Sequence, residues 1–184
     1  MVPKPRVQHS RAFFLGLLTL LLAGLSACSP AFNWRVVPNE DLGYSATFPD
    51  KPVQVTRQLQ LLQAQVPLTL QAAQAQDVYF AVGTVPLTGA WAGRGQALTA
   101  ALAQALANNV RAPTPQLSSE EWLGLPGQRI SLQGSLPDGR PAVVMARFFV
   151  HRDVLFEVVA MGPATALGAE VSTPWFTGFR LLGR

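Results

Sequence analysis

Three kinds of apolar spacing divide this chain. The run "AFFLGLLTLLLAG" (12–24) is unbroken and uncharged. As a helix it would rise about 20 Å, short of the roughly 30 Å of bilayer hydrocarbon, so it reads as a targeting segment and not as a span. From residue 43 the period becomes two. "GYSATFP" (43–49) puts Tyr44, Ala46 and Phe48 on one face, and Pro49 ends the strand. Val53, Val55, Leu59 and Leu61 then alternate with Gln54, Thr56, Gln58 and Gln60, after which the parity changes to Leu62, Ala64, Val66, Leu68 and Leu70. One continuous pleat cannot bury both sets, so the change predicts a turn or bulge near 61–65, although no Gly or Asn marks it. Strict alternation through this glutamine-rich stretch predicts an ordered antiparallel hairpin, and "DVYFAVGTVPL" (77–87) a third strand.

The period changes again in "GRGQALTAALAQALANNV" (93–110). Leu98, Leu102, Leu106 and Val110 recur every four residues, with Ala101 and Ala105 between them. This is the stripe of a thin helix able to lie close on a sheet, stopped by the prolines of "RAPTP" (111–115). Strands follow at 116–123 and 127–135, then a turn at 137–140, and two further strands, "PAVVMARFFV" (141–150) and "VLFEVVAM" (154–161), around His151-Arg152-Asp153. The last two are apolar on both faces, as the covered centre of a sheet requires. A three-residue loop would pair Val150 with Val154 and set Arg147 opposite Glu157, the only charges inside these strands. The pattern therefore predicts a cross-strand ion pair. The end of the chain predicts a short helix at about 165–173 carrying Leu167 and Val171, ended or bent near Pro174. Trp175, Phe176 and Phe179 then return to the core. The elements give an α+β fold: an antiparallel β-sheet of about six to seven strands with helices packed on its faces, one on either side.

Charge places the start of the chain outside the domain. Lys4, Arg6 and Arg11 precede the apolar run, and Leu25-Ser26-Ala27-Cys28 closes it with the only cysteine. A branched aliphatic, two small residues and a cysteine in this position resemble the bacterial lipobox. That resemblance implies cleavage after Ala27, a diacylglycerol on the Cys28 thiol and a fatty acyl group on the new amine, since the thiolate is the side chain nucleophilic enough to take such a lipid. Two or three chains anchor stably where one is marginal. Ser29 after the cysteine, rather than Asp, points by the usual Gram-negative sorting rule to an outer-membrane lipoprotein facing the periplasm. The alternative is an ordinary secreted protein cut near Ala27. The expected organisation is a signal peptide (1–27), a lipidated tether (28–42) with Trp34 and Val36 docking on the domain, and a single domain (43–184).

Without the leader, the 14 basic residues fall by three to 11, against 10 acidic ones. The basic pI belongs largely to the leader, and the domain has no electrostatic footprint for nucleic acid. His9 leaves as well, so His151 is the one remaining histidine. A zinc site, which needs three or four mostly Cys and His ligands, is not expected, nor is any other metal or cofactor.

The remaining polar residues offer little chemistry. Gly93-Arg94-Gly95 precedes a helix, but Leu98 stands where a dinucleotide loop needs a third glycine. Glu120 and Glu121 are adjacent in a strand and so point to opposite faces. His151 stands beside Arg152 and Asp153 at a hairpin tip, where a solvated histidine is expected rather than a general base. The tryptophans Trp34, Trp91, Trp122 and Trp175 suit core or rim packing.

Two stretches, "GYSATFPDKPV" (43–53) and "WFTGFRLL" (175–182), resemble a family of small bacterial envelope proteins similar to the PsbP-type extrinsic protein fold. The resemblance implies an antiparallel sheet flanked by helices and carries no catalytic residues over. The expected function is a non-enzymatic, lipid-anchored binding or accessory protein of the envelope. Its partner would be a protein or envelope component held at a sheet edge or an aromatic groove, or else a small apolar ligand in an enclosed cavity between the 96–110 helix and the sheet. A small hydrolase using serine with Asp or Glu is the enzymatic alternative, and it needs either a histidine-free mechanism or His151 on the floor of a cleft with a serine and a carboxylate.

Overall fold

The computed structural model describes residues 32–183; Ala27 and Cys28, with the cleavage and lipidation expected there, lie outside the described residues. Strands β1 (Arg35–Asn39), β2 (Tyr44–Phe48), β3 (Val53–Leu61), β4 (Ala64–Ala75) and β5 (Val78–Pro86) lead to helix α1 (Gly95–Asn109). They are followed by β6 (Ser118–Trp122), β7 (Leu125–Ser135), β8 (Pro141–His151), β9 (Val154–Pro163), helix α2 (Ala169–Thr177) and β10 (Arg180–Leu181). The main sheet has seven strands in the order β3-β4-β5-β9-β8-β7-β6, and a second has three in the order β1-β2-β10. Every pairing is antiparallel. The strand count expected for one sheet is that of the larger sheet, and with two α-helices the fold is dominated by its sheets.

Two-residue turns set the registers. Leu62-Gln63, Gln76-Asp77, Leu123-Gly124 and Arg152-Asp153 all have positive φ at both positions, the type I′ geometry that matches the twist of a hairpin. At the first of them Leu61 pairs with Ala64, so the odd-numbered apolar set of β3 and the even-numbered set of β4 share one face. This is the origin of the parity change. Only one of these turns contains glycine, and the rest hold ordinary side chains in the left-handed region at some cost.

Each face of the main sheet has its own core. On the first, Leu98, Leu102, Leu106 and Val110 of α1 and its cap are buried against Ile130, Leu132, Val144 and Phe148. On the second, the small sheet and α2 bury Tyr44, Phe48, Trp175 and Phe179 against Phe80 and Phe156.

Two expected boundaries are corrected. Residues 32–42 are not tether only: β1 pairs along β2 from Arg35↔Phe48 to Asn39↔Tyr44, and Trp34 packs edge-on against Phe80 at 5.6 Å. Val36 does not dock; it is 68 % exposed, and Val37 faces inward instead. The second helix begins later and does not stop at Pro174, which lies inside it. In the second turn a proline forfeits one bond, to the Glu170 carbonyl. The following turn buries Trp175 completely, which offsets that loss.

Candidate functional site

The alanines that let α1 lie close to the sheet also leave it narrow. Beside it, toward β3 and β4, a cleft of about 640 Å³ opens between Leu102, Ala105 and Leu106 of the helix and Leu68, Leu70 and Val159 of the sheet. This volume is in the range of small-molecule sites, and the walls are mostly apolar as such sites are.

Glu157 lies in its floor. It sits midway along β9, the central strand of the sheet, opposite Gly83 on β5 and Phe148 on β8. The residue is 4 % exposed. Among the described residues no side-chain hydrogen bond or ion pair reaches its carboxyl. Burial alone pushes its pKa up from 4.5 to about 7, because the ionised form loses its hydration without gaining a partner. Gly83 makes the room: a Cβ there would lie 2.8 Å from Glu157 Oε2 and 3.2 Å from Leu68 Cδ1. The carboxyl therefore rests across the glycine backbone, where any side chain would displace it.

The polar groups around this floor are few. Tyr79 lines the cleft, its pKa raised first by burial and then by the Glu157 charge, with Arg57 opposing the shift. Arg57 stands on the exposed edge strand β3, and Asp77 in the β4–β5 turn at one end. No residue of α1 is charged.

The ion pair predicted between Arg147 and Glu157 does not form. The β8–β9 connection is a two-residue turn with His151 paired to Val154, so Arg147 stands opposite Val158 and Glu157 opposite Phe148. A one-residue change of register moves a side chain to the other face. Arg147 thus projects from the second face, where its Nε lies 3.0 Å from Glu120 Oε1. The approach is ionic, without hydrogen-bond alignment. The guanidinium also stacks over Trp122 at 4.7 Å and Phe176 at 4.9 Å. Trp122 itself packs on Phe149 and Phe179, so these aromatics form a core capped by an arginine, and of them Phe176 alone lines the shallow groove beside Arg147.

The other candidates stay apart. His151 ends β8 beside the turn and lines neither the cleft nor the groove near Arg147. Arg94 is exposed and stacks on Trp91 at 5.1 Å. Glu120 and Glu121 face opposite ways, as adjacent strand residues do, and among the described residues no three His, Cys, Asp or Glu side chains gather as a metal site. No helix among the described residues is long and apolar enough to cross a membrane. Sequence reasoning singled out Glu157 but gave it the wrong neighbour. It missed Gly83, whose role appears only once β5 and β9 are paired.

Compared by sequence, the chain matches no family model and none of the curated proteins searched. Compared by structure, it is similar to the solution structure of cyanobacterial PsbP (CyanoP) from Synechocystis sp. PCC 6803, with a TM-score of 0.51 at 11 % identity, over 86 % of this chain and 99 % of that one. The likeness is one of fold: the chain has a PsbP-like fold.

Proposed function

We propose, from the fold it shares with cyanobacterial PsbP and the cleft beside α1, that this chain is a lipid-anchored, periplasm-facing, non-enzymatic binding protein of the cell envelope. In this reading it holds a small, largely apolar ligand between the helix and the sheet. The observation that carries the reading is the apolar cleft of about 640 Å³ beside the helix, open on one side where the sequence led to an enclosed cavity, yet of the size and lining of small-molecule sites. The anchor rests on Leu25-Ser26-Ala27-Cys28 and the basic, apolar leader before it. Most of the aromatic side chains pack on one another in the second core, which favours the ligand over a partner held in an aromatic groove.

Calorimetric titration of the purified full-length protein with octanol and with octylamine tests the cleft. Saturable uptake of either probe, lost when Ala105→Trp fills the space beneath the helix, supports the reading. Absence of saturable uptake of both, or uptake unchanged by Ala105→Trp, overturns it.

A second reading has one observation in its favour. Val53 on edge strand β3 is 71 % exposed, and an unpaired edge with apolar side chains is a template for a strand from a partner protein. Crosslinking in cells that joins β3 to a single envelope protein would favour it.

A further inference from the structure

Glu157 has no structural task that the fold explains. A carboxylate at the centre of a sheet, without a hydrogen-bond or ionic partner among the described residues, destabilises the protein whenever it is charged. The surrounding residues nevertheless accommodate it. Gly83 leaves a hollow that a Cβ would fill, and Leu68 and Leu70 flank that hollow. The carboxyl faces the cleft.

We propose that the cleft is specific for a ligand with an apolar body and one basic nitrogen, the nitrogen held as an ammonium on the Glu157 carboxylate. This deepens the proposed function and rests on its cleft. An aliphatic stem would lie along the leucines of α1 and β4, and the ammonium would supply the charge and the hydrogen bonds that the carboxylate lacks. A neutral stem would gain the apolar burial only. A carboxylate ligand would meet a like charge in a low-dielectric site.

Burial sets the response of Glu157 to pH, and the charged or titratable groups that line the cleft with it are Arg57 from β3, Asp77 from the β4–β5 turn and Tyr79 from β5, while α1 contributes none. Arg57 is the one cation among them, exposed on the edge strand, and so the rival of an incoming ammonium. The carboxyl of the empty cleft titrates at about 7, whereas an alkylamine stays protonated far above that. Amine affinity therefore rises as pH passes upward through neutrality.

The test compares octylamine, octanol and octanoate on the purified full-length protein at about pH 8. Octylamine should bind at least about tenfold more tightly than octanol, a difference of about 1.4 kcal/mol, and octanoate more weakly than either. Glu157→Gln should abolish the preference, with its circular dichroism spectrum and thermal midpoint showing that the variant is folded. Arg57→Gln should strengthen octylamine binding. Lowering the pH to about 5.5 should weaken octylamine binding about tenfold or more in the native protein and leave octanol unchanged. Equal binding of octylamine and octanol, or a preference that survives Glu157→Gln, overturns the amine assignment while the cleft reading stands. Failure of all three probes overturns both.

Discussion

A buried carboxyl that titrates at about 7 when folded and near 4.5 when exposed ties stability to pH through one residue. Between those values the native chain keeps a proton that the unfolded chain has released, so stability falls as pH rises across that window and is level on either side. The full fall is about 3 kcal/mol. Glu157→Gln should flatten this slope and raise the urea midpoint at about pH 8 while leaving it unchanged near pH 4. A slope that persists would locate the titration elsewhere. Arg147 belongs to a separate set of contacts. In a double-mutant cycle, Arg147→Ala and Glu120→Ala should couple by about 1 kcal/mol, whereas Arg147→Ala and Glu157→Ala, on opposite faces, should be additive to within about 0.5 kcal/mol. Strong coupling in the second cycle would mean that the two share a face after all. Both residues were legible as oddities, being charges inside apolar strands. The faces on which they stand were not, because a turn of two residues instead of three reverses every side chain of the strand that follows.

Among the elements, α1 carries the most weight for its length. Leu98, Leu102 and Ala103 are buried on its inner face, and Leu102 also forms part of the cleft wall. Leu102→Ala should cost about 2–5 kcal/mol, toward the lower end because the adjoining cleft already leaves part of the side chain unpacked. An unchanged thermal midpoint would refute the burial. This helix was readable because a four-residue apolar repeat between a glycine pair and two prolines has one helical solution. Helix α2 was harder. Pro174 read as an end or a bend, yet a proline in the second turn loses one bond only, and Trp175 offsets it by burial. Strand β1 was missed for another reason. A short strand with Val36 turned to water and Val37 turned inward has no alternation to detect, and its place is fixed by β2 alongside.

At the scale of the molecule, the proposed anchor and the domain answer to different tests. Cys28→Ala should move the protein from the membrane fraction to the soluble one, and retention in the lipid fraction after detergent-free washing would sink the anchor. The sequence alone determined the strands with clean alternation, the helical stripe, the parity change near 61–65 and the antiparallel, sheet-rich class. Each of these is a local periodicity, and local periodicity is imposed by the backbone geometry of strand and helix. Only the tertiary structure decided that β9 would lie at the centre of the sheet, that Gly83 would face Glu157 from β5, and that a thin helix would cover one side of the floor and leave the other open. Residues 83 and 157 are joined by a pairing between strands far apart in the chain. The cleft is the space left where α1 ends its contact with the sheet. Neither feature has a period in the sequence, because both are properties of which surfaces meet.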